Sequence, residues 1–252
     1  MYIQNDVFRI EEFFEGRPLT LWEMRNPMIF QEFSNIICDF NFNPKALEDV
    51  AKIEKLDPQN LFIHQVINVW GPNLEAKIGT IKSQLKESGT PEHLENLRKT
   101  ELLEKTFLFE GYQDFFESLI PKPGQPSRFD PNFINPFPNV LTHNDCHQNN
   151  ILMNVNNNRE FIVIDNEYAG WNPMAMDLGV YINETMNHNS HPGKNGVEWY
   201  LDNIMNMEEQ ELLIKSYMKH YFDNYLPKAE KYSVYGDDFG NFINKTFASF
   251  HK

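Results

Sequence analysis

His143-Asn144-Asp145-Cys146-His147-Gln148-Asn149-Asn150-Ile151-Leu152, followed by Phe161-Ile162-Val163-Ile164-Asp165, is the stretch on which the reading of this chain turns. Val140-Leu141 carries an apolar lead into it. Ile151-Leu152-Met153 and Phe161–Ile164 have the composition of two strands, and Asn156-Asn157-Asn158 between them has the composition of a turn. A hairpin of this kind sets Asp145 and Asn150 on the loop before one strand and Asp165 at the end of the other.

That arrangement suits phosphoryl transfer, in which catalysis is mostly positioning and charge neutralisation. Asp145 is the candidate base: a loop carboxylate able to accept a hydrogen bond from a substrate hydroxyl and align its oxygen. Asn150, five residues on, offers an uncharged oxygen, and Asp165 a charged one, to a hard cation. Magnesium takes few protein ligands and keeps water and phosphate oxygens for the rest. Each of the three alone reads as an ordinary turn-former; the combination carries the functional reading, because the catalytic loop of protein kinases has the same Asp-x4-Asn spacing with a metal-binding Asp behind it. His143 is expected to brace the loop by hydrogen bonds. Cys146 is expected to pack, since no orienting pair activates it as a nucleophile. His147 is placed where it could line a cleft.

Outward from this core the pattern is mostly helical. Asn26-Pro27 is a cap followed by proline at the first helical position, and Phe30, Phe33, Ile36 and Ile37 recur at helical spacing behind it. A short helix is expected from Pro44 to about Leu56, and longer helical stretches over 60–87, 91–120 and most of 174–252, with loops near His191-Pro192-Gly193 and at Pro227. Residues 7–14 read as a strand, which Glu15-Gly16-Arg17-Pro18 breaks. The prolines from Pro121 to Pro138 mark a surface crossing. The fold class is therefore α+β.

The 252 residues suffice for one large domain or a lobe with its cap, and 21 phenylalanines supply core material. A net charge of −14 argues against a nucleic-acid binder, which needs a basic face. Two cysteines, Cys38 and Cys146, suggest neither a disulfide framework nor a metal knuckle, and a reducing, cytoplasmic setting is expected. The start has no signal-peptide pattern, and no apolar run is long enough to cross a bilayer.

Read as a whole, His143–Leu152 together with Ile164-Asp-Asn-Glu-Tyr-Ala-Gly-Trp-Asn-Pro-Met-Ala-Met-Asp-Leu-Gly179 resembles the choline/ethanolamine kinase family. Its signature runs roughly H-N-D-x4-N-I-L, then I-D-(F/Y)-E-Y-x-x-(Y/F)-N, then D-(I/L)-(G/A). Arg9-Ile-Glu-Glu-Phe-Phe-Glu-Gly-Arg-Pro-Leu19 is also similar to the family's hinge segment. Aminoglycoside phosphotransferases share only the first motif.

The resemblance implies a protein-kinase-like fold. Residues 1–14 would be the hinge and a remnant of the small lobe, and 15–252 the large helical C-terminal lobe with its catalytic β-hairpin. It implies ATP and Mg2+ as cofactors, Asp145 as base, Asn150 and Asp165 as magnesium ligands, and Glu12 and Phe14 near the adenine. It implies an amino-alcohol pocket shaped by Glu167, Tyr168 and Glu184, a small cationic substrate favouring aromatic faces and carboxylates, and a homo- or heterodimer.

The departures are specific. Asn166 stands where Phe or Tyr is usual, and Thr185-Met-Asn-His-Asn189 where further aromatics follow Glu184. No Gly-x-Gly-x-x-Gly loop or nucleotide-binding lysine precedes the hinge, and the last residues stop before a tryptophan-rich helix. The chain is thus expected to be shortened at both ends relative to the family, with residues 1–14 lacking sheet neighbours. The leading expectation is ATP- and magnesium-dependent phosphorylation of choline or ethanolamine. One alternative is a shortened paralogue that pairs with and regulates a full-length kinase; another is a kinase of a different small alcohol, aminoglycoside phosphotransferase-like.

Overall fold

A computed structural model of the chain describes residues 3–4, 9–10, 13–45, 47–48, 61–118, 138–189 and 198–247. The chain divides into two compact units. One comprises residues 1–53, 141–169 and 174–244; the other comprises 54–140, 170–173 and 245–252.

The first unit is built on two long helices, Pro27–Phe42 and Met207–Asn224, packed along one another. Asn26 starts the first: its side chain accepts the Met28 N–H at 3.0 Å, and Pro27 takes the position that needs no N–H donor. The second begins with a capping box, in which Asn206 and Glu209 satisfy each other's backbone N–H groups. Glu209 then doubles as the partner of Arg25, at 2.9 Å, and so ties the two helix starts together. Phe30, Phe33 and Ile37 fill the core between these helices with Leu213 and Tyr217. Tyr181, on the helix Met176–Glu184, stacks on Phe33 with ring centroids 4.2 Å apart and donates its hydroxyl hydrogen to the Met24 carbonyl.

The same unit holds a three-stranded antiparallel sheet in the order Gly16–Pro18, Ile151–Asn154, Phe161–Val163. The expected hairpin is there, in the register Ile151↔Val163 and Met153↔Phe161. Its connection is made of side-chain turns: Asn154 Oδ1 accepts the Asn156 N–H, and Asn157 Oδ1 accepts the Arg159 N–H. Glu15-Gly16-Arg17-Pro18 does not break the strand pattern as expected; Gly16–Pro18 is itself a strand. It lies at the sheet edge, where Pro18, lacking an N–H, is tolerated. Of the strand expected over 7–14, Arg9–Ile10 is one, paired with Ile3–Gln4 in a separate two-stranded ribbon, and Phe13-Phe14 is not; the remaining residues of that stretch lie outside the described residues.

From residue 174 onward the pattern is helical as read, with helices Met176–Glu184, Met207–Asn224, Lys228–Tyr235 and Phe239–Phe247. Pro227 caps the third of these. Among the described residues the exception is a short antiparallel pair, Asn187–His188 with Glu198–Trp199, in which two-residue strands leave no periodicity to reveal them. The loop at His191-Pro192-Gly193, the proline-rich run before Pro138 and most of the Pro44–Leu56 helix lie outside the described residues.

In the second unit, a helical stretch Phe62–Ser88 tightens and widens through a π-turn at Val66–Trp70. Gly89, in the left-handed conformation at φ 59°, ends it, and Thr90-Pro91 caps the next helix, Pro91–Phe107, at once. The expected helix over 91–120 is broken after Phe107 and resumes at Tyr112–Ser118, because Leu108 leaves helical geometry and Gly111 turns the chain at φ 77°. Strand Gly170–Pro173 sits against Phe62; a Cβ on Gly170 would come within 2.9 Å of the Phe62 Cβ, so glycine is required by close approach.

At the corner between the edge strand and the first helix, Arg17 grips Glu23 with two hydrogen bonds, 2.9 and 2.6 Å, and the Thr20 N–H adds a third. Arg17 holds the Glu23 carboxyl down at about 2. A depressed carboxylate stabilises the fold fully above its ordinary value of 4.5, and that stabilisation is lost as pH falls toward 2. Glu23→Gln is expected to cost about 1 kcal/mol at pH 7, a figure that allows for solvent screening of this partly exposed pair. The difference from wild type should shrink as the pH is lowered from 4.5. Urea unfolding across that range is the measurement, and a pH-independent difference would contradict the ion-pair account.

Candidate active site

All the site residues described below belong to the first unit. The strand Asn139–Thr142 runs into the loop that bears Asp145. What shapes this loop is Asp177, in the first turn of the Met176–Glu184 helix and fully buried. Its Oδ2 accepts the His143 N–H at 3.0 Å, and its Oδ1 accepts the Asn144 N–H at 2.8 Å. Asn41, also buried, donates to Asp177 Oδ2 and to the Leu141 carbonyl, and its own oxygen accepts the Tyr217 hydroxyl. Burial pushes the Asp177 carboxyl up, while the Asn144 and His143 N–H groups and Asn41 pull it back.

Asn144 is in the left-handed conformation at φ 68°, which asparagine tolerates better than most residues. Its Nδ2 donates to the Tyr168 carbonyl at 2.8 Å, so the loop before Asp145 is stitched to the segment after Asp165. His143 makes a second stitch. Its Nε2 lies 2.9 Å from the Ile164 carbonyl, and its Nδ1 accepts the Asp145 N–H at 3.2 Å. A ring that donates from Nε2 and accepts at Nδ1 is the neutral Nε2–H tautomer.

Asp145 and Asn150 are brought together. Asn150 Nδ2 donates to both the Asp145 carbonyl, at 3.0 Å, and Asp145 Oδ2, at 2.9 Å. The Ile164 N–H bonds to the Asn150 carbonyl at 2.9 Å, which sets Asp165 beside Asn150 at the mouth of the hairpin. Asp165 is exposed and itself left-handed, at φ 66° and ψ 66°. His147 Nε2 stands 3.5 Å from Asp145 Oδ2. Burial alone would raise the Asp145 carboxyl; His147 first and Asn150 after it pull the other way, and the group lies below the usual carboxylate range. Asp145 in turn raises His147, with the charges of Glu184 and Asp165 adding to the effect.

Tyr168 is half-buried; the neighbouring Glu167 raises its hydroxyl first, with burial and the charges of Asp145 and Asp165 behind. Glu184 closes its helix with both oxygens engaged, by Asn187 Nδ2 at 3.4 Å and Asn189 Nδ2 at 2.6 Å. Thus Asp145, Asn150, Asp165, Tyr168 and Glu184 share one electrostatic neighbourhood, and Glu167 is an exposed neighbour of it. The Phe14 carbonyl accepts the Gly16 N–H at 2.8 Å. Glu12 lies outside the described residues. Cys146 is fully buried, and burial together with the Asp177 charge keeps its thiol well above the ordinary range.

The donor set fits a hard cation. Asn150 commits its nitrogen to Asp145, which leaves its oxygen for a ligand; Asp165 adds an accessible carboxylate. Among the described residues no cluster of three His, Cys, Asp or Glu could hold a metal unaided. A pair of oxygens completed by water and phosphate is how magnesium is commonly bound.

The sequence reading marked Asp177 as part of the family signature and Asn187 and Asn189 as departures from it but gave none of them a role, and it did not single out Asn41. Asp177 had a visible signal, an acid in the first turn of an apolar helix. Asn41 had none, being 100 residues from the carbonyl it serves. Asp177→Ala would strand two backbone N–H groups and the Asn41 amide in the interior. A loss of about 3 kcal/mol in urea unfolding is expected; a loss under about 0.5 kcal/mol would contradict the clamp.

The family model described as choline/ethanolamine kinase matches residues 2–238. No curated protein matches the chain. Among solved structures, the choline kinase of Cryptosporidium parvum Iowa II superposes with a TM-score of 0.54 at 19% identity, covering 88% of this chain and 57% of that one. An ethanolamine kinase of Plasmodium vivax gives a TM-score of 0.42 at 19% identity, covering 85% and 56%. The chain therefore spans a little over half the length of these structures. The fold is the mixed, helix-rich kinase-like one that the family resemblance implied.

Proposed function

The chain belongs to the choline/ethanolamine kinase family, and on that premise we propose that it catalyses ATP- and magnesium-dependent phosphorylation of choline or ethanolamine, yielding a phosphorylated head group for phospholipid synthesis. The observation that carries the reading is the bond from Asn150 Nδ2 to Asp145 Oδ2 within the loop that leads into a hairpin whose second strand runs toward Asp165. Asp145 orients the substrate hydroxyl and takes its proton as the oxygen attacks the γ-phosphorus. The bond from that phosphorus to the β-γ bridging oxygen breaks, and ADP leaves. Asn150 and Asp165 would hold magnesium, which when bound neutralises phosphate charge. Glu167, Tyr168 and Glu184 supply carboxylates and an aromatic face for the ammonium head. Glu12 and Phe14 are assigned to the adenine side on the family resemblance.

Family membership and the Glu167-Tyr168 pair support an amino alcohol over another small alcohol. Asp145→Asn keeps the shape of the side chain and removes the base. Turnover with Mg-ATP and choline or ethanolamine is expected to fall at least about 100-fold, with the circular dichroism spectrum and Tm close to wild type. Retained turnover would overturn the assignment of Asp145.

A further inference from the structure

We propose that His147 is a positioning residue for the Asp145 carboxylate, occupying the Oδ2 side so that Oδ1 is the oxygen that meets the acceptor hydroxyl. This rests on the reading of Asp145 as the base. Backbone geometry decides the tautomer of His147. The turn Gln148–Asn150 starts with His147 Nδ1 accepting the Asn149 N–H at 3.1 Å. A neutral ring that accepts at Nδ1 carries its proton on Nε2. Nε2 is the atom 3.5 Å from Asp145 Oδ2, a contact at the outer edge of hydrogen bonding, as catalytic contacts often are before substrate tightens them.

Asn150 Nδ2 approaches the same oxygen, at 2.9 Å. Asn150 thus hydrogen-bonds Oδ2 and the His147 ring faces the same oxygen at 3.5 Å, while among the described residues no hydrogen-bond donor reaches Oδ1. Asn150 is anchored through its own strand and through a second bond to the Asp145 carbonyl. His147 is anchored through the Asn149 N–H and through its own carbonyl, which accepts the Asn150 N–H at 3.0 Å. Oδ2 is bonded on one side and faced on the other by groups that the loop backbone fixes. The side chain of His147 is only 20% exposed, so water competes weakly for the contact. Glu184 and Asp165 are near enough for their charges to act on the ring, which sets it beside the region assigned to the amino alcohol.

The test uses His147→Gln, which retains an N–H donor, and His147→Leu, which retains bulk without one, beside wild type and Asp145→Asn. With Mg-ATP and choline or ethanolamine, His147→Leu is expected to lower kcat about 10- to 100-fold. KM for both substrates should stay within about 3-fold and Tm should hold, while His147→Gln recovers most of kcat. Equal losses in both variants, no loss in either, or a change confined to KM would overturn the proposal. Nitrogen-15 NMR of the imidazole gives a readout that needs no turnover, so failure of the base assignment is separable from failure of this one. At alkaline pH the His147 proton should sit on Nε2, and Asp145→Asn should shift that resonance. A proton on Nδ1, or an Nε2 resonance indifferent to Asp145→Asn, would overturn the proposal even if the enzyme is a kinase.

Discussion

Asp177 is a carboxylate sealed in the interior, and its burial is tolerated because donors surround it. Two consecutive backbone N–H groups, from His143 and Asn144, bond to its two oxygens, and the Asn41 amide adds a third donor. Removing a charge from water costs several kcal/mol unless such bonds replace hydration. The replacement works only if the 141–145 loop adopts one conformation, including the left-handed turn at Asn144. A buried acid on one helix thereby dictates where Asp145, on another segment, stands. Asn41 extends the constraint to the first long helix, and Tyr217, bonded to Asn41, extends it to the second.

From that clamp the rest of the site follows by short covalent and hydrogen-bonded steps. Asn144 and His143 each reach the segment around Asp165, one at the Tyr168 carbonyl and the other at the Ile164 carbonyl. The hairpin register does the same from the other side, through Asn150 and Ile164. The result concentrates Asp145, Asp165 and Glu184 around His147. Like charges so placed repel, and a site of this kind gains from ligands that bring positive charge. A divalent cation and an ammonium head are such ligands, and the chain's net charge of −14 favours their approach over that of a polyanion such as nucleic acid.

What was legible in the sequence was whatever left a local pattern. Asn26-Pro27 announced a helix start, and the paired apolar runs around Asn156-Asn157-Asn158 announced the hairpin. The spacing from Asp145 to Asn150 announced a pair that the fold does join. What was not legible depended on distant partners. Gly16-Arg17-Pro18 has turn composition, yet it is a strand because Met153 and its neighbours offer an edge to pair with. The clamp joins residue 41 to residues 141 and 177, a relation no window of sequence displays. His147 reads from the sequence as able to line a cleft, but its tautomer and its oxygen on Asp145 required the turn that follows it.

Phosphorus-31 NMR of the purified chain with Mg-ATP bears most directly on the central claim that this site transfers phosphate to an amino alcohol. On addition of choline or ethanolamine, a new phosphomonoester resonance should grow in step with loss of the ATP γ-signal and appearance of ADP. Unchanged ATP, or ATP converted to inorganic phosphate alone at a rate indifferent to either amino alcohol, would contradict the account.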